Sequence, residues 1–212
     1  MGELKNIDIS KINAYLSHKN YELKGKVVYY ASLFNILIPF LGIIYGFTSV
    51  ISYIVAFIIS VVCIMFMIYF KTKVSRTQKN IIFYFSVAMV FMSINLCYIS
   101  CVFFSQTTIG VLFPLLFYAV SVPLIAFLII KSECKKIMDG SCKKKNFANS
   151  RITYFSVFGA GLGIVISRVV ENQLNDAIVL GICFGALGII ISLFSGFFVK
   201  WYCYILIEKA TE

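Results

Sequence analysis

Residues 50–70 have the sequence VISYIVAFIISVVCIMFMIYF, and residues 71–80 continue as KTKVSRTQKN. The first stretch has no charged residue and is long enough to cross the roughly 30 Å hydrocarbon core of a bilayer as a helix. The second stretch is basic, as cytoplasmic loops of membrane proteins usually are. Together they predict a transmembrane helix whose C-terminal end lies in the cytoplasm.

Five further apolar runs flank this one, and the composition agrees with them. The chain of 212 residues is 60% hydrophobic and 13% charged, with a mean hydropathy of +0.92. A soluble domain carries roughly 25% charged residues. We therefore predict an all-α polytopic membrane bundle with a cytoplasmic segment 1–26, a transmembrane domain 27–199 and a cytoplasmic tail 200–212. The six predicted spans are 27–47, 50–70, 81–104, 109–130, 152–167 and 177–199.

Basic residues are distributed very unevenly between the two sides of these spans. Eighteen of the 19 Lys and Arg residues fall in the segments 1–26, 71–80, 131–151 and 200–212, and Arg168 is on the other side. Such a bias places the basic segments in the cytoplasm. It predicts a protein of the cytoplasmic membrane with both termini inside, facing anionic lipid headgroups. The net charge of +10 is thereby explained without nucleic acid as a partner.

The N-terminal segment lacks the apolar core of a secretory signal. Its residues Ile9, Ile12 and Leu16 recur at helical spacing, and Asp8 or Ser10 is a suitable N-cap. This pattern predicts a short amphipathic helix on the inner membrane face. The alternative is a solvated tail.

Residues that carry chemistry are scarce. No ionisable side chain lies in the middle of a predicted span, which disfavours proton relays and acid–base catalysis within the membrane. His18 is the only histidine among 212 residues, and no cysteine accompanies it in a pattern typical of a cysteine protease or a zinc site. We therefore expect no enzymatic activity, no metal and no cofactor.

Glycines form the clearest motif. Gly159 and Gly163 are four residues apart in the fifth span, and Gly181 and Gly185 are four apart in the sixth. Small residues at this spacing let helix backbones approach closely. We predict that spans five and six pack as a tight hairpin, and the alternative is a face for homo-oligomerisation.

Two amides lie at membrane depth, Asn35 in the first span and Asn95 in the third. An amide without a partner in hydrocarbon is costly, so each is expected to face another helix or a wet cavity. Pro39, Pro114 and Pro123 are expected to kink their helices. These residues form either an interior polar site along a substrate path or ordinary interhelical contacts.

The predicted outer side has one charged loop. Arg168, Glu171 and Asp176 lie there, and together they are a candidate docking surface for an extracellular toxin or partner. The alternative is that Arg168 extends its side chain to the outer headgroups.

Two functional classes fit these features. The first is a non-enzymatic immunity or accessory factor that binds a toxin, an antimicrobial peptide or another protein within the bilayer. The second is a small transporter or permease subunit. An amphipathic segment before six spans resembles an ABC-type permease subunit, although the longest inner loop here lies between spans four and five. Minimal outer loops and the lack of catalytic groups favour the first class.

Overall fold

The structure, a computed structural model, describes residues 8–18, 23–44, 50–73, 77–105, 110–140 and 176–211. These residues form helices and the turns that adjoin them, without a strand. A 3₁₀ turn, Leu193–Ser195, joins the last two helices. The helices are α1 (Ile9–His18), α2 (Lys26–Ile44), α3 (Val50–Lys73), α4 (Gln78–Ser105), α5 (Leu112–Met138), α6 (Asp176–Ser192) and α7 (Gly196–Thr211).

Several helices are long and apolar enough to cross a bilayer. Within the described residues there are four such segments: Tyr53–Thr72, Gln78–Ser105, Leu112–Met138 and Ala177–Ala210. Residues Lys26–Pro39 of α2 form a shorter apolar helix. The protein is therefore an all-α membrane protein, as the apolar runs predicted.

Helix α4 is the centre of the bundle. It has its most extensive contact with α6 and also packs against α2, α5 and α7. Its buried side chains join the two apolar clusters of the membrane region, one with Val28 and Phe70 and the other with Ile38. Because α3 packs mainly on α2, and α5 touches its neighbours less, both leave long apolar faces exposed. Long apolar faces of this kind are typical of helices in a bilayer.

One end of the bundle gathers the basic segments, and we call it the basic end. There the Gln78 side chain donates a hydrogen bond to the Leu23 carbonyl over 3.2 Å. Lys79 at the start of α4 forms an ion pair with Glu208 of α7. The opposite end, the far end, is where α4 finishes and α6 begins, since Gly181 contacts the Phe104 ring.

Helix α1 begins with an Asp8 cap and lies at the basic end. The Asp8 carboxylate accepts a hydrogen bond from the Ser10 backbone N–H over 3.0 Å. This bond lowers the pKa of Asp8, because it favours the charged carboxylate. The apolar face of α1 packs on the ends of α5 and α7, around Ile137 and Cys203. The apolar face of this amphipathic helix therefore packs against the rest of the protein.

Two helices extend beyond the predicted ends of their spans. The loop predicted from Lys131 begins as helix, since α5 continues to Met138. The tail predicted from Lys200 is helical to Thr211. Both extensions follow from packing: Cys134 and Ile137 of α5 and Cys203 of α7 are buried in the cluster with α1.

Part of the sequence interpretation lies outside the described residues. This applies to the fifth predicted span with Gly159 and Gly163, and to Arg168 and Glu171. Asp176 is the first residue of α6.

Candidate functional site

The two amides singled out in the sequence meet in the interior between α2 and α4. Asn95 donates a hydrogen bond from Nδ2 to Oδ1 of Asn35 over 2.9 Å. Asn35 in turn donates from Nδ2 to the Ala88 carbonyl at 2.8 Å and to the Ala31 carbonyl at 3.1 Å. Their exposed fractions are 1% and 2% for Asn35 and Asn95, respectively. These amide contacts therefore join helices.

Pro39 belongs to the same arrangement. It lies within α2, four residues after Asn35. Proline has no N–H, so the Asn35 carbonyl loses its intrahelical donor. The Asn95 amide lies 3.4 Å from that carbonyl, and so one side chain on α4 serves both acceptors of Asn35.

Two serines of α4 extend the polar interior toward α6. Ser93 donates from Oγ to the Gly188 carbonyl over 2.7 Å, and Ser100 donates to the Gly181 carbonyl over 2.5 Å. Tyr118 of α5 shares a hydrogen bond of 2.8 Å with Ser100. We did not single out these serines or Tyr118 from the sequence. A usable signal exists in the seven-residue spacing of the two serines, which matches that of Gly181 and Gly188.

The glycines of α6 lie where these contacts require a close approach. A Cβ atom at Gly185 would overlap the Tyr118 hydroxyl and lie 2.9 Å from Oγ of Ser100. At Gly188 it would lie 2.7 Å from Sγ of Cys97. Within the described residues, the glycines of α6 thus pack against α4 and α5. The partner that we predicted for them, span five, lies outside the described residues.

A buried carboxylate at the basic end was missed by the sequence interpretation. Glu133 of α5 is only 3% exposed. Its Oε2 accepts a hydrogen bond from the Tyr15 hydroxyl over 2.9 Å, and its Oε1 accepts one from Lys136 Nζ over 2.8 Å. Lys11 of α1 also donates to the Met138 carbonyl at the end of α5, over 3.0 Å. The sequence predicts a loop at Glu133 and Lys136, although the apolar spacing of span four continues through them.

This cluster attaches α1 to the bundle. A carboxylate removed from water is stable only when it is paired and hydrogen-bonded, and Tyr15 and Lys136 supply those bonds. A lysine near a helix C-terminus also interacts favourably with the exposed carbonyls there. The arrangement therefore holds α1 by charge and hydrogen bonds as well as by apolar contact.

A groove of about 400 Å³ opens between α5 and α6 near the far end. Its walls are almost entirely apolar, and Tyr118, whose hydroxyl is hydrogen-bonded to Ser100, is one of the lining residues. Within the described residues, no group of three or more His, Cys, Asp or Glu side chains is placed to hold a metal ion. The six described cysteines are free thiols.

Comparison of the chain with protein-family models, with curated proteins and with solved structures found no match.

Proposed function

We propose that the protein is a non-enzymatic factor of the cytoplasmic membrane that acts by binding a peptide or protein partner within the bilayer. An immunity factor against a toxin or an antimicrobial peptide acts in this way. The observation that carries the proposal is the use of the interior polar groups. The Asn35 and Asn95 amides bond each other and backbone carbonyls, and the Ser93 and Ser100 hydroxyls bond carbonyls of α6.

A transport path through a bundle needs polar groups that can exchange their partners for a substrate. Here the amides and serines hold α2, α4 and α6 together, so opening a path between these helices would break several hydrogen bonds at membrane depth. Each such group left without a partner costs about 1–3 kcal/mol. Binding on the lipid-facing sides of α3 and α5 requires no such loss, which favours the protective class over the transporter.

The proposal includes a topology of six spans with both termini in the cytoplasm. Three contacts that join basic segments support it: those of Gln78 with Leu23, of Lys79 with Glu208 and of Lys11 with Met138. The eighteen-to-one distribution of Lys and Arg agrees with it. The basic end would then face the anionic headgroups of the inner leaflet.

Reporter fusions test this topology. A reporter that is active only in the cytoplasm should be active when it is fused after Gly140 or at the C-terminus, and inactive near Asn175. Activity of the Asn175 fusion in the cytoplasm would contradict the six-span arrangement.

Survival of a sensitive bacterial strain tests the function. Cells that express the protein, and cells with an empty vector, are challenged with a panel of membrane-active bacteriocins and cell-wall toxins. We expect protection against one peptide class. If the protein accumulates normally and protects against none, the immunity proposal fails. Resistance that depends on a co-purifying ATPase subunit would support the transporter.

The outer loop is tested in the same assay. Arg168→Gln and a combined Glu171→Gln, Asp176→Asn variant should accumulate normally and protect less well if the loop is the docking surface. Full protection by both variants would assign partner binding to the helices.

A further inference from the structure

The groove between α5 and α6 exposes large aromatic side chains. Phe117 is 50% exposed there and Phe113 is 69% exposed. Large apolar side chains form most of the walls. By contrast, α5 is buried around Glu133 at the basic end. The principal lining residues are Phe113, Phe117, Tyr118, Ile178, Ile182 and Ile189.

Helices α5 and α6–α7 run in the same direction along this groove. Near the far end, Gly185 contacts Tyr118. Further along, a Cβ atom at Gly196 would lie 3.3 Å from a side-chain carbon of Ile129, and Cys203 shares a cluster with Cys134. Residue numbers therefore rise together along α5 and along α6–α7, from the far end to the basic end. It follows that α5 finishes at the basic end, whereas α6 begins at the far end.

The chain between these helices must therefore return along the whole length of the bundle. The connecting residues 141–175 include the apolar run 152–167, which carries no charged residue. Its sixteen residues would make a helix about 24 Å long at 1.5 Å per residue. Elements that follow one another in sequence usually pack as neighbours, and the groove lies between the two helices that flank this run.

We propose that residues 152–167 fill the groove as the fifth span of the bundle. Large side chains of the groove would face small residues of this run. The groove walls are mainly aromatic and branched side chains, and the run contains the sequence Gly159-Ala160-Gly161-Leu162-Gly163. A helix face of small residues lets bulky neighbours and their backbones approach closely.

This occupant changes where a partner can bind. The groove then belongs to the fold, and the lipid-facing side of α3, where Phe57 is 68% exposed, stays open to a partner. The inference rests on the six-span topology of the proposed function. The reporter fusions test that topology separately from the contact itself.

Site-specific photo-crosslinking in membranes tests the contact. A benzophenone amino acid is placed at Phe117 or Phe113 in the groove, or at the equally aromatic and exposed Phe57 on α3 as the control. After irradiation the protein is digested, and cross-linked peptides are identified by mass spectrometry.

We expect the groove positions to give an intramolecular product with a peptide from 152–167, and Phe57 to give none. A product of twice the molecular mass from Phe117 would mean that a second copy fills the groove. Products with lipid alone would mean that the groove stays open. Either result overturns the inference, and if the fusions still show six spans, the proposed topology stands without it.

Discussion

Replacing Asn95 by leucine keeps the number and branching of the side-chain heavy atoms and removes the amide that bonds Asn35. The Oδ1 atom of Asn35 then loses its donor from α4, and so does the backbone carbonyl that Pro39 leaves without an intrahelical partner. Interhelical hydrogen bonds in membranes contribute about 0.6 kcal/mol on average and about 1.7 at most. A buried acceptor without a partner costs about 1–3 kcal/mol. We expect Asn95→Leu to lower the free energy of unfolding by about 1–3 kcal/mol.

Reversible unfolding in mixed micelles measures this loss, and a double-mutant cycle identifies its cause. Asn35→Leu alone removes the Oδ1 acceptor of the Asn95 amide, whereas the double variant removes both amides together. The cost of the double variant should therefore fall short of the sum of the single costs by more than about 0.5 kcal/mol. Ile94→Leu, an exposed neighbour on α4, is the matched control and should change stability by less than about 0.5 kcal/mol. Additive costs for the two asparagines would refute the contact.

Two further substitutions test the other parts of the bundle. Gly185→Leu should lower detergent stability by about 1–3 kcal/mol, because its side chain would overlap Tyr118. The exposed Leu187→Ala should have little effect in the same assay, and equal tolerance of both would contradict the close approach. Tyr15→Phe removes the hydroxyl that donates to Glu133, and a hydrogen bond to a charged group contributes about 1.5–3 kcal/mol. Hydrogen exchange in α1 should become faster while that of α4 stays the same; unchanged exchange in α1 would contradict its attachment through Glu133.

The helices of the membrane region could be predicted from the sequence because the apolar character of a span is shared by about twenty consecutive residues. The runs at 50–70 and 81–104 lie within α3 and α4. The ends were less predictable, because the sequence does not show where a helix leaves the membrane and packs on protein. Residues 131–138 contain three lysines, and their sequence predicts a loop. The helix continues there because Cys134 and Ile137 find an apolar partner in α1.

The candidate site was predictable only in part. Asn35 and Asn95 are recognisable because an amide in an apolar run requires a partner. That they are partners of each other depends on the rotation of α2 relative to α4, which the sequence does not encode locally. The contact between Tyr15 and Glu133 joins residues 118 positions apart. It was missed because the burial of Glu133 depends on α1 as well as on α5.

The serines of α4 and the glycines of α6 are best understood together. Ser93 bonds the Gly188 carbonyl and Ser100 bonds the Gly181 carbonyl, so both pairs share one antiparallel register. Seven residues make two helical turns, so the contact recurs on the same face of both helices, as it does when helices cross at about 20°. Glycine contributes twice to each pair. It lets α4 approach, and it leaves its own carbonyl unshielded so that a short serine side chain can reach it. The contact between α4 and α6 is therefore specified by hydrogen bonds as well as by the small size of glycine. Glycines at the same spacing with no polar residue opposite would define the contact less uniquely.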